Sequence, residues 1–194
     1  MTAGLNCRHH QSMAPFRLEE ISLVHESALL DNKLFLNGHS KVITDDLSTS
    51  ARFRKFVKES EKQRLDWRPG PNKTSITRYL MFDAQSETSG ESNSDIRALA
   101  LLRFPLDSVS ELDGGNIICE VPSTMRNKGL GSMCLALMLF EAVRAGLRRV
   151  LVTCSASDGA ARRVIEKNRG QLQDVVNSTD AHGGEVARYW IRFT

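Results

Sequence analysis

The order of predicted elements in the last third of the chain constrains the fold more than any other feature of the sequence. Apolar residues over 116–121 predict a strand, which runs through a short polar loop into a helix predicted over 130–146 and ended by Gly146. An apolar run over 149–154 predicts a buried strand of the kind found in parallel sheets. A second helix is predicted over 158–168, with Asp158 as its N-cap. This alternation of strands and helices predicts a mixed α/β fold.

Two helices are predicted near the start of the chain. Leucine and isoleucine residues recur at roughly helical spacing over 15–38, and a stripe of phenylalanine and valine predicts a second helix over 48–64. The sequence Arg-Pro-Gly-Pro-Asn at 68–72 breaks the chain direction after that helix.

The middle of the chain predicts an antiparallel meander. Residues that favour strands occupy 75–82 and 96–104, and the polar residues between them, 83–95, predict a long mobile loop. A Gly-Gly turn then precedes the strand over 116–121, and a closing strand is predicted over 186–193.

The composition predicts one soluble globular domain. Of 194 residues, 41% are hydrophobic and 25% are charged, which excludes collagen-like, wholly disordered and coiled-coil chains. We expect the domain to cover 16–194, after a disordered leader over 1–15. No run reaches the ~18–20 apolar residues that span a bilayer, and residues 1–13 lack the apolar stretch of a secretory signal. A cytoplasmic protein that does not bind membranes is therefore expected.

The four cysteines predict no metal site. Cys7, Cys119, Cys134 and Cys154 form neither a C-x-x-C pair nor a Cys/His pattern at zinc spacing. Free thiols in a reducing compartment are the simplest interpretation.

The loop between the strand predicted over 116–121 and the helix predicted over 130–146 is the segment that indicates a chemical function. Arg126, Gly129 and Gly131 form the pattern R-x-x-G-x-G at a helix start. The first turn of a helix leaves N–H groups unpaired and carries a partial positive charge, so it attracts phosphate oxygens. Arg126 and Lys128 add full charges. A tight turn that needs glycine for its backbone geometry is the alternative. A Walker A loop is absent, and a dinucleotide-binding loop is disfavoured because the strand over 150–154 carries no acid.

At these residues the chain resembles the GNAT superfamily of acyl-CoA N-acyltransferases. The loop 126–131 is similar to its signature for the coenzyme A pyrophosphate, and the similarity continues in order through 150–154, 164–168 and 188–191. Upstream, Leu102-Arg103 and 114–117 resemble one bacterial-type branch of predicted acetyltransferases. The resemblance covers about 16–194.

The resemblance implies a central, mostly antiparallel sheet with a splayed strand pair, flanked by helices, and acetyl-CoA as co-substrate without a metal. It implies that the backbone of Cys119 and Val121 contacts the pantetheine arm, and that the Cys119 N–H polarises the thioester carbonyl as an oxyanion donor. A primary amine would attack acetyl-CoA directly in a ternary complex. The residues implied for the pyrophosphate loop are Arg126, Asn127, Lys128, Gly129, Leu130, Gly131 and Ser132.

Four positions depart from the pattern of the superfamily or of its branch. Asp158 stands where many members have an asparagine that holds the pantetheine arm, and Ile165 stands where many have a tyrosine acid. Asn116 replaces a histidine of the branch, and Arg169 replaces a glycine. Asp158 remains a predicted contact of the cofactor, although a carboxylate repels phosphate.

The resemblance does not identify the general base or the residue that binds the 3′-phosphate of the cofactor. Glu120 is the carboxylate that the sequence places best to act as a general base, and Asp113 and Glu111 are weaker candidates. The alternative is that Glu120 simply lies on the solvent face of its strand. One of the two arginines at the start of the last helix, Arg162 or Arg163, is expected to bind the 3′-phosphate. We predict that it is Arg162. A nucleophilic role for the Cys119 thiol is disfavoured because no histidine partner is evident.

The distribution of charge agrees with a single polyanionic cofactor. The net charge is +3, but residues 121–170 hold nine Lys and Arg against three Asp and Glu. No nucleic-acid-binding motif or series of exposed aromatic residues is evident, so nucleic acid is not an expected partner. The sequence predicts an N-acetyltransferase acting on a small-molecule or peptide amine. A non-catalytic or weakly active acyl-CoA-binding or sensor domain is the alternative, and the possibility of a homodimer is left open.

Overall fold

The computed structural model describes residues 11–13, 16–31, 40–43, 45, 47–65, 74–84, 96–178 and 183–193. Within these residues, eight strands form two sheets whose neighbouring strands are all antiparallel. The first sheet contains, in spatial and chain order, β1 (Gln11–Met13), β2 (Phe16–Glu20), β3 (Ser75–Asp83), β4 (Ile96–Phe104) and β5 (Ile117–Glu120). The second contains β6 (Arg149–Ser155), β7 (Gln171–Asn177) and β8 (Glu185–Arg192), in the spatial order β6-β8-β7.

Five α-helices connect and cover the strands of the described chain. They are α1 (Glu26–Asp31), α2 (Ser50–Leu65), α3 (Ser108–Leu112), α4 (Leu130–Arg144) and α5 (Gly159–Lys167). The helix α4 is the crossover that joins the two sheets between β5 and β6. It ends at Arg144 and is followed by Gly146, whose φ of 83° is a left-handed conformation that glycine adopts without strain.

The first sheet has an apolar layer on each face, because successive strand residues point in opposite directions. On β4, Ala98 and Leu102 point toward α4, while Leu99 and Leu101 point toward α2. Each fully buried leucine or phenylalanine contributes about 1.5–3 kcal/mol to stability. The layer beneath α4 and α5 includes Cys134, Leu137, Met138, Ile165 and Tyr189, and the layer beneath α1 and α2 includes Leu29, Val42, Ile43, Phe53 and Phe56.

The two sheets meet at Asn116, which is 6% exposed. Its backbone N–H donates to the Leu151 carbonyl at 2.7 Å, and its side-chain Oδ1 accepts from the Leu151 N–H at 2.8 Å. On its other side, Nδ2 donates to the Arg103 carbonyl at 3.0 Å and the Asn116 carbonyl accepts from the Arg103 N–H at 2.8 Å. A Cβ on the preceding Gly115 would lie 2.4 Å from the Leu151 oxygen, so this junction requires glycine.

The structure confirms the mixed α/β fold with its mostly antiparallel sheet, including α2, β3, β4, the crossover α4, β6 and the Asp158 cap of α5. The helix predicted over 15–38 is wrong at its start. Residues 16–20 form the strand β2, because Phe16 and Leu18 alternate with polar neighbours and pair with β3.

The disordered leader predicted over 1–15 is also wrong at 11–13, which pair with the open edge of β2. Residues 1–10, 14 and 15 lie outside the described residues, as does most of the loop predicted over 83–95. The sequence prediction missed α3 and β7. In the described part of the chain, no helix has the length and apolar character needed to cross a membrane.

Candidate functional site

β5 and β6 belong to different sheets, and in the described residues their backbones meet at an isolated bridge at Gly115 and at the Asn116–Leu151 hydrogen bond. We call the space between the two strands beyond Asn116 the slot. In an antiparallel ladder, successive residues turn their N–H and C=O groups to opposite edges of the strand. The Arg103 N–H donates to the Asn116 carbonyl, so the register turns the backbone groups of Ile118 and Glu120 toward β4. The backbone groups of Cys119 therefore point toward the slot, and no described residue accepts its N–H.

The opposite wall of the slot has the same character. The Ala156 N–H donates to the Glu185 carbonyl at 2.8 Å, which sets the alternation between β6 and β8. Thr153 and Ser155 consequently turn their backbone groups away from β8 and toward β5. An extended ligand that carries amides can pair with backbone donors and acceptors on both walls.

The loop at the end of the slot holds a row of unpaired backbone N–H groups. After a 3-10 turn at Ser123–Met125, Asn127 and Gly129 adopt left-handed φ values of 62° and 78°. The first N–H of this region to find an acceptor is that of Met133, which donates to the Gly129 carbonyl at 3.1 Å. Within the described residues, the N–H groups of 127–132 have no protein acceptor. Because they surround the start of α4, they form a site for an anion.

The surroundings of this loop favour negative charge and leave space for it. Arg126 and Lys128 are exposed, and neither has a carboxylate partner among the described residues. The Arg126 Nε donates to the Val121 carbonyl at 3.2 Å, which holds that arginine beside the slot. A Cβ on Gly129 would meet nothing within 4 Å, and one on Gly131 would lie 3.6 Å from Val164 Cγ2. A side chain at either position would therefore occupy space next to the free N–H groups, which the glycines leave empty.

The start of α5 forms the second rim of the slot. The Asp158 carboxylate caps α5 by accepting from the N–H groups of Ala160 at 3.0 Å and Ala161 at 2.9 Å. Asn168, near the end of α5, donates to the Ser132 carbonyl at 3.2 Å and to the Ser132 hydroxyl at 3.1 Å. These contacts fix α5 against the first turn of α4, so both rims of the slot are rigidly connected.

The two candidate arginines of α5 have different environments. The Arg162 Nε donates to the Tyr189 hydroxyl at 2.9 Å, and that hydroxyl donates to Glu166 at 3.0 Å. The hydrogen bond with Tyr189 raises the pKa of Arg162, and burial raises the pKa of Tyr189. Arg163 is exposed, and its guanidinium lies 3.4 Å from the position of a Cβ on Gly159, at the helix start. The geometry thus favours Arg163 over Arg162 for contact with an exposed phosphate.

The surroundings raise the pKa values of Cys119 and Cys154, the two thiols beside the slot. A hydrogen bond with Cys134, followed by burial, raises the pKa of Cys119 well above its ordinary value. Burial and then the charge of Asp158 raise the pKa of Cys154 to about 11. A nucleophilic cysteine requires a lowered pKa, so the geometry argues against an acyl-enzyme on Cys119. Ile165 is 3% exposed within the apolar layer, and its side chain has no group that could act as an acid.

The predicted base, Glu120, has both carboxylate oxygens engaged. Oε2 accepts from the Ser40 hydroxyl and Oε1 accepts from the Lys41 backbone N–H, each at 2.5 Å. The weaker candidates lie elsewhere: Asp113 is hydrogen-bonded to the Ser178 hydroxyl, and Glu111 is exposed on α3. Sequence reasoning missed Ser40, which is 80 positions from Glu120 and has no motif around it. In the described residues, no group of three or more His, Cys, Asp or Glu side chains is placed to hold a metal ion.

Comparison with known proteins identifies the fold. No protein-family profile matches the sequence, and no curated protein matches it. Among solved structures, the acetyl transferase from Salmonella typhimurium that modifies the N-terminal serine of the 50S ribosomal subunit protein L7/L12 matches with a TM-score of 0.62 at 15% identity, over 94% of this chain and 97% of that chain. RimL, the ribosomal L7/L12 alpha-N-protein acetyltransferase, in complex with coenzyme A matches with a TM-score of 0.65 at 13% identity, over 94% and 97%.

An acetyltransferase of the GNAT family from Streptococcus pneumoniae matches with a TM-score of 0.58 at 16% identity, over 92% of this chain and 99% of that chain. The chain therefore has the fold of the GNAT acetyltransferases. In this fold the present chain combines a slot with backbone groups on both walls, a row of free N–H groups at its end and thiols of raised pKa along it.

Proposed function

We propose that this protein is an N-acetyltransferase that transfers the acetyl group of acetyl-CoA to a primary amine by direct attack in a ternary complex. The observation that carries the proposal is the continuity of the site: the slot between β5 and β6 leads directly to the unpaired N–H groups at the start of α4. An amide-bearing arm joined to a pyrophosphate fits that order of groups. Solved neighbours support it, since the RimL structure holds coenzyme A and the MccE structure holds acetyl-CoA and AMP.

The proposed cofactor contacts are those that the resemblance implies, and the free N–H groups and exposed charges of the loop support them. The N–H groups of 127–132, with the charges of Arg126 and Lys128, would bind the pyrophosphate. The backbone of Cys119 and Val121 would pair with the pantetheine arm, with Asp158 at the opposite rim. The 3′-phosphate would be bound by Arg162, as predicted from the sequence, or by Arg163, which the exposure of its guanidinium favours.

The proposed chemistry depends on positioning and on one backbone donor. Acetyl-CoA supplies the activated acyl group. The Cys119 N–H has no described acceptor, so it is free to stabilise negative charge on the thioester oxygen, a contribution typically of about 10²–10³ in rate. The attacking amine must lose a proton, and Glu120 is the carboxylate predicted for that step. Its hydrogen bonds to residues 40 and 41 compete with such a role.

The test is release of the CoA thiol from acetyl-CoA in the presence of four classes of amine. A peptide that begins with serine, an aminoglycoside, a polyamine and a free amino acid represent these classes, and an amine-free reaction is the control. The peptide is included because one neighbour modifies the N-terminal serine of a ribosomal protein. The proposal predicts release above the control for at least one class, with a mass increase of one acetyl group on the amine.

A second function is favoured by two observations: Ile165 is buried, and both carboxylate oxygens of Glu120 accept hydrogen bonds. It is a non-catalytic domain of the same fold that binds acyl-CoA. Binding of acetyl-CoA without thiol release in any of the four classes would support this function and contradict the first.

A further inference from the structure

Glu120 holds a distant segment of the chain against β5. We define the anchor segment as residues 40–43, which precede α2 and lie about 80 positions before Glu120 in sequence. The two carboxylate oxygens accept separately from the Ser40 hydroxyl and the Lys41 N–H. The Ser40 Oγ also accepts from the N–H groups of Val42 at 3.0 Å and Ile43 at 2.9 Å. The carboxylate thus ends a connected network that shapes the whole segment.

The anchor segment is held on its far side as well. Val42 and Ile43 are 0% and 3% exposed, and they pack into the apolar layer beneath α1 and α2. The Val42 carbonyl accepts from the Arg78 Nε at 2.9 Å. Glu120 is therefore the polar tie between this segment and β5, beside the packing of Ile118 against the same apolar layer.

The position of the anchor segment relates it to the acceptor side of the proposed site. Along β5, Ile117 and Cys119 point toward α4, whereas Ile118 and Glu120 point toward the opposite face. The first face is covered by α4 and α5, whereas beside β5 the opposite face carries the partly exposed Ser40 and Glu120 and the exposed Lys41, so we place the acceptor side of the slot there.

We propose that Glu120 is a positioning residue for the acceptor amine: it holds the anchor segment at the acceptor side of the slot, and Ser40 is its partner in that role. The proposal rests on the proposed function, since it names the groups that shape the acceptor side of the same site. It differs from general-base catalysis, in which the Glu120 carboxylate would itself take a proton from the amine.

The experiment compares four variants in the thiol-release assay: Glu120→Ala, Glu120→Gln, Ser40→Ala and the double variant Ser40→Ala/Glu120→Ala. Glu61→Ala, which removes an exposed carboxylate on α2, is the matched control. The acceptor is the amine class that reacts fastest with the unmodified protein. Hydrogen exchange of the amides of 41–43 is measured on each variant without ligands.

The positioning role predicts a rise in the KM for the amine of about 10-fold or more in Glu120→Ala, the effect of losing a hydrogen bond to a charged group. Ser40→Ala should produce a similar rise although it leaves the carboxylate intact, and the double variant should be no worse than either single variant. The KM for acetyl-CoA and the shape of the pH profile should be unchanged. Hydrogen exchange at 41–43 should accelerate in Glu120→Ala, in Ser40→Ala and in the double variant. The effects of Glu120→Gln, which keeps an acceptor for Lys41, should be smaller than those of Glu120→Ala.

General-base catalysis predicts a different pattern, which would overturn the proposal. Glu120→Gln and Glu120→Ala would both lower kcat by about 10²–10⁴-fold and remove the acidic limb of the pH profile, while Ser40→Ala would leave kcat and KM unchanged. Full activity of Glu120→Ala with unchanged KM would overturn the positioning role alone. Absence of thiol release by the unmodified protein with every amine would overturn the proposed function, and the positioning role with it.

Discussion

The substitution Asn116→Ala tests how the two sheets are joined. The side chain of Asn116 accepts from the Leu151 N–H at 2.8 Å and donates to the Arg103 carbonyl at 3.0 Å. Leu151 is 1% exposed, so its N–H would lose its acceptor without gaining water, at a cost of about 2–3 kcal/mol. The Arg103 carbonyl loses its hydrogen bond with Asn116 Nδ2 but keeps its place in a half-buried residue, and this loss adds about 1 kcal/mol. We predict a total loss of about 3–4 kcal/mol in the free energy of unfolding.

The measurement is urea unfolding at neutral pH, followed by far-UV circular dichroism, with Asn177→Ala as the control. Asn177 is exposed at the end of β7, so its truncation should change stability by less than about 0.5 kcal/mol. For a chain of this size the predicted loss corresponds to about 10 °C in Tm, and the m-value should be unchanged. If Asn116→Ala and Asn177→Ala unfold at the same urea concentration, the junction at Asn116 does not stabilise the fold as described.

Two further predictions concern the proposed cofactor loop and the contact between Glu19 and His25. Gly131→Leu places a side chain beside the free N–H groups, so it should weaken acetyl-CoA binding in calorimetry at least about tenfold. The control Ala145→Leu, at the exposed end of α4, should not weaken it. Equal affinities of the two variants would contradict the assignment of the loop. The hydrogen bond from His25 lowers the pKa of Glu19 to about 2 from 4.5, so its stabilisation is complete above pH 4.5 and is lost as the pH falls toward 2. In chemical unfolding, Glu19→Gln should be less stable than the unmodified protein by about 1–3 kcal/mol at neutral pH, and the difference should shrink as the pH falls from 4.5 toward 2. A difference that does not depend on pH would contradict this prediction.

The parts of the fold that the sequence predicted are those in which local pattern and tertiary environment agree. The strand β4 is a continuous apolar run that is buried on both faces, so its composition alone identifies it. The helix α4 combines an apolar stripe with a glycine stop, and α5 begins at an aspartate that caps it. Each of these signals is contained within fewer than twenty residues.

The errors occur where a distant partner decides the structure. The strand β2 forms because β3, about 60 residues later, offers a pairing edge, although leucine spacing there resembles a helix. The strand β7 has mostly exposed residues and no clean alternation, and it is held by its ladder with β8. Neither pairing has a local sequence signal.

The candidate site divides in the same way. Its loop over 126–131 could be predicted as an anion site because glycine and arginine at a helix start have a physical meaning in sequence. The contact of Glu120 with Ser40 joins residues 80 positions apart, and the contact of Arg162 with Tyr189 joins residues 27 apart, so both required the structure. These two contacts changed the interpretation of the predicted base and of the predicted phosphate ligand.

The most direct test of the central claim is the Tm of the full chain with and without acetyl-CoA. A ligand that binds the folded state at a hundred times its Kd stabilises it by about 2.7 kcal/mol, which is about 5–10 °C for a chain of this size. We predict that acetyl-CoA and CoA raise the Tm by that amount in a concentration-dependent manner, while NADH and ATP do not. A Tm that is unchanged at saturating acetyl-CoA and CoA would contradict the assignment of the slot and its loop as an acyl-CoA site.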